Sequence, residues 1–487
     1  MKKNFVTKFA TDKNYYFFNA NSAEILKTNK KIYDLFEDFC NLEKQEIVKK
    51  YPNEESIAEA YDFIRQYILT NESNKMEKDM EHCFDGFKHA NLFKPKSIVI
   101  NVTDNCNFRC KYCIFGDEYS FTRSINPKNM THATADKIIG KMKELYNEEQ
   151  DYIVIGFYGG EPFLAFPIIK KITEAVKNIG IKASFNLTTN GSLLSKEIQD
   201  FCVENNFSLL ISIDGSKEKH NQNRVDVHNN PTYDTIMSNL SVFKQNYPHY
   251  FAEKIRYAAT VDSLSNYYEI INYANNNPEY KLNVITGKVV VNNEAYAKIE
   301  EENSNFLKNT PSEFFNNNIK EKILKIKFFS LEEYEKDVMK YVLRIHNRKI
   351  SPMLGGICIR PNEGLKETPL FIATNEDLYI CEKMEHTFKI GNLDNWVNID
   401  VLKNMLHKFF GYKKRECVNC VAKRTCSICF APLARDDDFQ FSEAICSSEV
   451  NNTLIALKMY MMLLEELGED ELNKLCKGYN YIFYGDE

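Results

Sequence analysis

The chain has 487 residues, 44% hydrophobic and 27% charged, with a net charge of −6. That length exceeds one ordinary core and predicts about two to four domains in a globular protein. The acidic balance argues against a general nucleic-acid binder. No run of about twenty apolar residues offers a membrane span, and the opening stretch MKKNFVTKFATDKNYYFF lacks the apolar core of a signal peptide. The expected location is therefore the cytoplasm. There the 14 cysteines should not be structural disulfides. Cys40, Cys83, Cys202 and Cys476 are scattered and read as free thiols packed as small hydrophobes. The other ten fall into two sets, one within 106–113 and one within 358–446.

In chain order, FVTKFA, NYYFFN and SAEILK are short apolar runs separated by turn residues, which predicts a three-stranded meander. Helical periodicity follows in KIYDLFEDFCN and ESIAEAYDFIRQYIL. A small β-then-α unit over 1–75 is expected, with a polar linker over 76–94. From 95 to 293 the rhythm becomes strand–helix alternation. Strand-like runs lie at 97–103, 151–157, 183–189, 208–214, 254–260 and 282–291, with helical patterns such as TADKIIGKMKELYN and PIIKKITEAVKN between them. Six such repeats predict an α/β fold with a parallel sheet, arranged as an open or partial (β/α)6 barrel with its chemistry at the C-terminal strand ends. Residues 294–352 read as a charged helical connector. Residues 353–487 are rich in cysteines and turns and close on a helix at 447–466.

After the first strand of the barrel, NVTDNCNFRCKYCIF holds Cys106, Cys110 and Cys113 with C-x3-C-x2-C spacing. Thiolates bind soft metals, and a cubane iron–sulfur cluster takes four ligands. Three cysteines on one loop hold three irons and leave the fourth open to a chelating molecule. A zinc site lacking one ligand and a Cys-x-x-Cys redox pair are the competing readings.

This spacing, with Tyr112 before the last cysteine, resembles the radical S-adenosylmethionine (SAM) superfamily. FYGGEP, with Gly159, Gly160, Glu161 and Pro162, follows the second strand; TTNGSLL, with Thr189 and Asn190, follows the third; SIDGSKEKHNQNR, with Ser212, Asp214 and Arg224, follows the fourth. The resemblance implies that the GGEP segment meets the amino group of SAM. The later strand ends would handle its ribose and carboxylate, with Arg224 as a carboxylate clamp. It implies that one electron from the cluster cleaves SAM and that the resulting 5′-deoxyadenosyl radical takes a hydrogen atom from the substrate.

The tail carries Cys358, Cys381, then CVNCVAKRTCSIC with Cys417, Cys420, Cys426 and Cys429, then Cys446. Paired C-x2-C is also zinc-like, but seven cysteines do not divide into closed four-cysteine sites. Behind such a barrel the set resembles the SPASM extension with two auxiliary [4Fe–4S] clusters, three clusters in all. That resemblance implies one auxiliary cluster on Cys358, Cys381 and Cys429, and another on Cys417, Cys420, Cys426 and Cys446. The Cys426–Cys429 step is one residue tighter than the family's usual spacing. No extra cysteine follows Cys358, which leaves a fourth ligand position for Glu363, water or a substrate thiolate.

Residues 1–75 resemble a winged-helix-like precursor-recognition element, which captures a leader peptide on an exposed strand edge. Together the resemblances imply a maturase of ribosomally made precursor peptides, of the sactipeptide type, that joins a cysteine sulfur to carbon and draws electrons from a flavodoxin or ferredoxin. The alternatives are an anaerobic sulfatase-maturating enzyme, a carbon–carbon cross-linking maturase, or a non-catalytic iron–sulfur scaffold that binds peptides. No residue stands out in the sequence as the proton acceptor.

Overall fold

The computed structural model describes residues 5–54, 56–69, 75–89, 93–116, 124–146, 152–261, 264–287, 333–350, 359, 365–385, 387–426 and 428–484. Strands β1 (Val6–Ala10), β2 (Tyr15–Asn19) and β3 (Glu24–Thr28) form the expected meander, antiparallel in the order β1-β2-β3. Successive residues of a strand point to opposite faces, and β2 is apolar on both. Phe17 joins a core with Phe36, Phe39, Ile47, Ile57 and Ile64. Tyr16 and Phe18 point the other way, into a second core with Leu343, Leu457 and Met461. Helices Lys30–Asp34, Phe36–Asn41, Lys44–Lys50 and Ile57–Leu69 follow the sheet. The first helical pattern in the sequence is thus broken in two at Leu35.

The expected polar linker is largely helical: an α-helix spans Lys75–Asp85 and a 3-10 turn spans Gly86–His89. Met76, Met80, Cys83 and Phe84 recur at helical spacing and pack on the main core. The many charges between them hide this stripe in the composition. Phe84 stacks on the His407 ring, 4.1 Å between centroids.

The main sheet has ten strands. Six are parallel neighbours in chain order: β4 (Ser97–Thr103), β5 (Tyr152–Gly159), β6 (Lys182–Thr189), β7 (Ser208–Ser212), β8 (Ile255–Val261) and β9 (Leu282–Gly287). They match the expected runs to within a few residues. Their near-continuous burial, as in the successive residues Ile155, Gly156 and Phe157, reflects cover on both faces. The sheet does not stop at six strands. β10 (Leu370–Ile372) pairs in parallel with β4, and β11 (Asp377–Tyr379), β12 (Gly391–Asn392) and β13 (Trp396–Val397) continue antiparallel beyond it. These runs of two or three residues are too short for a period-2 signal.

Of the expected connector, the described part is chiefly helix Glu333–His346; residues 288–332 lie outside the described residues. The last expected helix is two, Glu443–Leu467 and Glu469–Tyr484, separated by Gly468 at φ +73°. The N-terminal sheet docks on the first of them. Thr11, Asn14 and Tyr16 donate to Oε1 of Glu465 at 2.7, 2.8 and 2.6 Å.

Candidate active site

The C-terminal ends of β4 to β8 converge on one cavity of about 370 Å³. Cys106, Cys110 and Cys113 line it, with Tyr112, Gly159, Gly160, Thr189, Asn190, Ser212 and Arg224. The structure thus brings the three thiols together with most of the residues singled out after strands two, three and four. Glu161, Pro162 and Asp214 are buried beside the cavity rather than on its wall.

The cysteine loop is held from two sides. Arg109 N–H donates to Val225 O at 2.8 Å and Lys111 N–H to Asn223 O at 3.0 Å, which ties the loop to both neighbours of Arg224. On the other side, Gly160 N–H donates to Thr103 O at 2.9 Å and Glu161 N–H to Asn105 O at 2.8 Å. The two glycines make that approach possible. A Cβ on Gly159 would lie 2.6 Å from Thr103 O, and one on Gly160 would lie 2.1 Å from Asn105 O and 2.9 Å from Cys106 Cβ. The GG pair is therefore a backbone-contact requirement of the cysteine loop.

Glu161 is fully buried. Its Oε1 accepts from Thr189 Oγ1 at 2.7 Å and Phe163 N–H at 3.2 Å, and its Oε2 accepts from Asn190 N–H at 2.7 Å. Burial raises its pKa to about 7 against the downward pull of these donors. The carboxylate fixes the end of β6 and sits under the cavity floor. Asn190 in turn donates from Nδ2 to Asn107 Oδ1 at 2.8 Å, which joins that strand end to the cysteine loop.

Asp214 is the centre of a second buried network. Its Oδ2 accepts from the Tyr112 hydroxyl and from Arg224 Nε at 3.0 Å, and its Oδ1 accepts from Thr260 N–H at 2.9 Å. The Arg224 guanidinium also lies over the Tyr112 ring, 5.3 Å from its centroid. His220 Nδ1 accepts from Asp214 N–H at 3.4 Å, and its Nε2 lies 3.0 Å from Thr232 Oγ1. Burial, and then the Arg224 charge, lower the His220 pKa to about 3, so the ring is neutral. Arg224 is 8% exposed and uses Nε on Asp214, so its terminal nitrogens remain for a ligand in the cavity it lines.

Cys106, Cys110 and Cys113 are half-buried. Burial pushes Cys106 and Cys110 up to about 12, with the neighbouring thiols adding to the rise at each. A metal centre would reverse this by supplying positive charge. Among the described residues no group of three or more His, Cys, Asp or Glu side chains is arranged to hold a single metal ion. The three cysteines instead share one cavity wall.

In the tail, Cys381 caps the short 3-10 helix Glu382–Met384. Burial pushes it up to about 12, and Cys429 lies near enough to add to the rise. Burial likewise pushes Cys417 up to about 12, with Cys420, Cys426 and Cys446 as neighbours. Cys358 and Glu363 lie outside the described residues.

Glu382 and Lys383 escaped the sequence reading. Both line the cavity, and Glu382 supplies the one carboxylate among its lining residues. Among the described residues neither side chain is paired in a hydrogen bond or salt bridge. The available signal was their place next to a candidate cluster cysteine, but only β10 beside β4 swings that position over the strand ends.

Residues 100–253 match the family model described as the Radical SAM superfamily. Residues 100–253 are thus similar to a radical SAM domain. Over 263 residues it is 25% identical to the radical SAM cyclopropyl synthase TigE of Paramaledivibacter caminithermalis, covering 52% of this chain and 52% of that one. Over 158 residues it is 30% identical to a cysteine-type anaerobic sulfatase-maturating enzyme of Clostridium novyi, covering 32% of this chain and 40% of the relative. The chain thus spans about half or less of the length of these relatives. Among solved structures, native anSMEcpe with bound AdoMet superposes with a TM-score of 0.52 at 18% identity, over 79% of this chain and 100% of that one. That likeness shows a shared fold that reaches well beyond residues 100–253. Among the described residues no helix is long and apolar enough to cross a membrane.

Proposed function

We propose that the chain is a radical SAM maturase that modifies a ribosomally made peptide, joining a cysteine sulfur to a carbon atom. The observation that carries this reading is the single cavity in which three cysteines of one loop meet Arg224, the strand-end polar groups and a carboxylate delivered from the cysteine-rich tail. The donor set fits a cluster with one open iron: three half-buried thiols of one loop share the cavity with the Arg224 guanidinium. Bound there, the cluster and SAM supply an electron and a radical able to take a hydrogen atom from the peptide.

The chain's own residues do the rest. Arg224, oriented by Asp214 and Tyr112, offers its terminal nitrogens to a carboxylate. The backbone of Gly159 and Gly160, which lines the cavity, would meet an ammonium, and the buried Glu161 ties the adjacent strand end to it. Glu382 is placed to accept the proton released when a substrate thiol and a carbon lose two hydrogens on joining. The tail cysteines suit two auxiliary clusters, one with Cys358, Cys381 and Cys429 and one with Cys417, Cys420, Cys426 and Cys446. Such clusters would take the second electron and exchange it with a flavodoxin or ferredoxin. Oxygen-labile groups and free thiols of this kind belong in the reducing cytoplasm.

Residues 1–75 would hold the leader peptide. β3 is the outer strand of its sheet. Beside it Glu24, Ile25, Leu26, Phe63, Gln66, Tyr67, Arg348 and Lys349 line a groove of about 470 Å³. An added peptide strand would hydrogen-bond along β3 and seat an apolar side chain against the 56% exposed Phe63. The similarity to TigE supports a second reading, in which the same radical closes a carbon–carbon bond.

The test uses the anaerobically reconstituted protein with SAM, a reductant and a cysteine-containing candidate precursor, sought as a short reading frame beside its gene. The expected result is 5′-deoxyadenosine, with the peptide lighter by two hydrogens per bond and one thiol fewer to alkylate. Loss of two hydrogens with every thiol still alkylatable supports carbon–carbon closure. Absence of deoxyadenosine overturns the enzymatic reading.

A further inference from the structure

The groove beside β3 is built from two distant parts of the chain. Leu26 of β3 lines it with Phe63 and Tyr67, one turn apart on helix Ile57–Leu69. Arg348 and Lys349, which follow helix Glu333–His346, line it as well. Hydrogen bonds fix where these two cations stand. Arg348 Nε donates at 2.7 Å to the carbonyl of Ala23, the residue before β3, and Nη1 donates to Ile345 O at 2.7 Å. The guanidinium lies over the Tyr460 ring, 5.5 Å from its centroid. The Tyr67 hydroxyl donates to Glu24 O at 2.9 Å, at the same end of the strand. The groove therefore has a cationic end at the start of β3 and an apolar contact, Phe63, one helical turn from Tyr67.

Glu24 is the one acid among the described lining residues. Among the described residues none of Glu24, Arg348 and Lys349 is in an ion pair. The nearby Arg344, by contrast, faces Glu449 at 3.5 Å. Two cations against one carboxylate leave that end of the groove net positive.

We propose that the groove selects a leader segment with an acidic side chain two or three residues from an apolar one, the apolar group on Phe63 and the carboxylate facing Arg348 and Lys349. This rests on the reading of the groove as the leader site. The spacing follows from geometry. One helical turn is about 5.4 Å and a strand advances about 3.3 Å per residue, so the two contacts are about two residues apart on an added strand, or three if they lie on opposite faces. An exposed ion pair adds little affinity but rejects a like charge, so the cations act on selectivity. Arg348 is held by two backbone carbonyls, whereas Lys349 is exposed and able to follow the peptide.

The test pans a phage-displayed library of random peptides on the immobilised full chain and keeps those whose binding is lost with Phe63→Ser. The expected result is a shared pattern of an apolar residue with Asp or Glu two or three positions away, in either chain direction. A labelled synthetic peptide of that pattern should bind about three- to tenfold more weakly to Lys349→Glu, with an unchanged melting temperature. Exchanging its acid for Lys should restore binding to Lys349→Glu and weaken binding to wild type. Phe63-dependent peptides without an acidic preference overturn the proposal, as does unchanged affinity of the acidic peptide for Lys349→Glu. A selection that yields no Phe63-dependent peptide defeats the leader-groove reading itself, a separable result that takes the proposal with it.

Discussion

Gly160 shows how one hydrogen atom in place of a methyl group shapes the site. A Cβ there would sit 2.1 Å from Asn105 O, a backbone atom that cannot swing aside. Relieving such a clash costs about 1–3 kcal/mol and moves the neighbouring backbone. Gly160→Ala is therefore expected to shift Cys106 and lower the iron bound at the cysteine loop, measured as iron per chain, while the tail cysteines keep theirs. Glu161 carries a pH signature. Its pKa is raised from 4.5 to about 7 in the fold, so the folded chain retains a proton that the unfolded chain has released. Its contribution to stability therefore declines as pH rises through that window, by roughly 3 kcal/mol at about 1.4 kcal/mol per unit. The unfolding free energy of metal-free wild type relative to Glu161→Gln should fall by that amount between pH 4.5 and 7.5. A flat difference would mean that the donors from Thr189, Asn190 and Phe163 fully offset burial. The cysteine spacing and the strand-end motifs were legible because each is a local word. The contacts of Glu161 with the end of β6, and the pairing of Asp214 with Tyr112 across 102 residues, exist only in three dimensions.

At the scale of elements, the six parallel strands were readable from apolar runs because a strand buried on both faces leaves no alternative pattern. β10 to β13 were not, since pairs and triplets of residues carry no period. The helix Lys75–Asp85 was legible in principle, through the stripe of Met76, Met80 and Phe84, but its charges read as a linker. The groove beside β3 gives this scale its prediction. Phe63 is exposed, so Phe63→Asp should change stability by only about 0.5 kcal/mol. Leader-peptide affinity, read by fluorescence anisotropy, should drop at least about tenfold, or ~1.4 kcal/mol. SAM cleavage without peptide should be unaffected. Unaltered affinity would remove the groove from the binding surface.

For the whole molecule, the N-terminal unit is not a separate appendage. Phe9, Tyr16 and Phe18 share a core with Leu457 and Met461. The β2–β3 turn accepts from Arg424 at Ala20 and from Arg348 at Ala23, 2.8 and 2.7 Å. Arg424 stands in the loop between Cys420 and Cys426. Deleting residues 1–75 is therefore expected to do more than abolish leader binding. It should expose an apolar face on helix Glu443–Leu467 and loosen that cysteine loop, seen as dye binding and as iron lost from the tail. A truncated chain with full iron and no added dye binding would show the two parts to be independent.

The parallel register of β10 on β4, Leu370 opposite Ile98 and Ile372 opposite Ile100, has a consequence for how the chain must be made. While a ribosome is still short of residue 370, the strand that leads into the cysteine loop has one flank of unmet amides and carbonyls. Sticky, apolar Ile98-Val99-Ile100 is then open to any stray extended segment, its own neighbours on a polysome included. Loading the first metal centre before the tail has zipped onto that flank would fix the loop upon an unfinished wall. A chain cut short before residue 370 is therefore expected to aggregate through that flank, whatever metal it is offered.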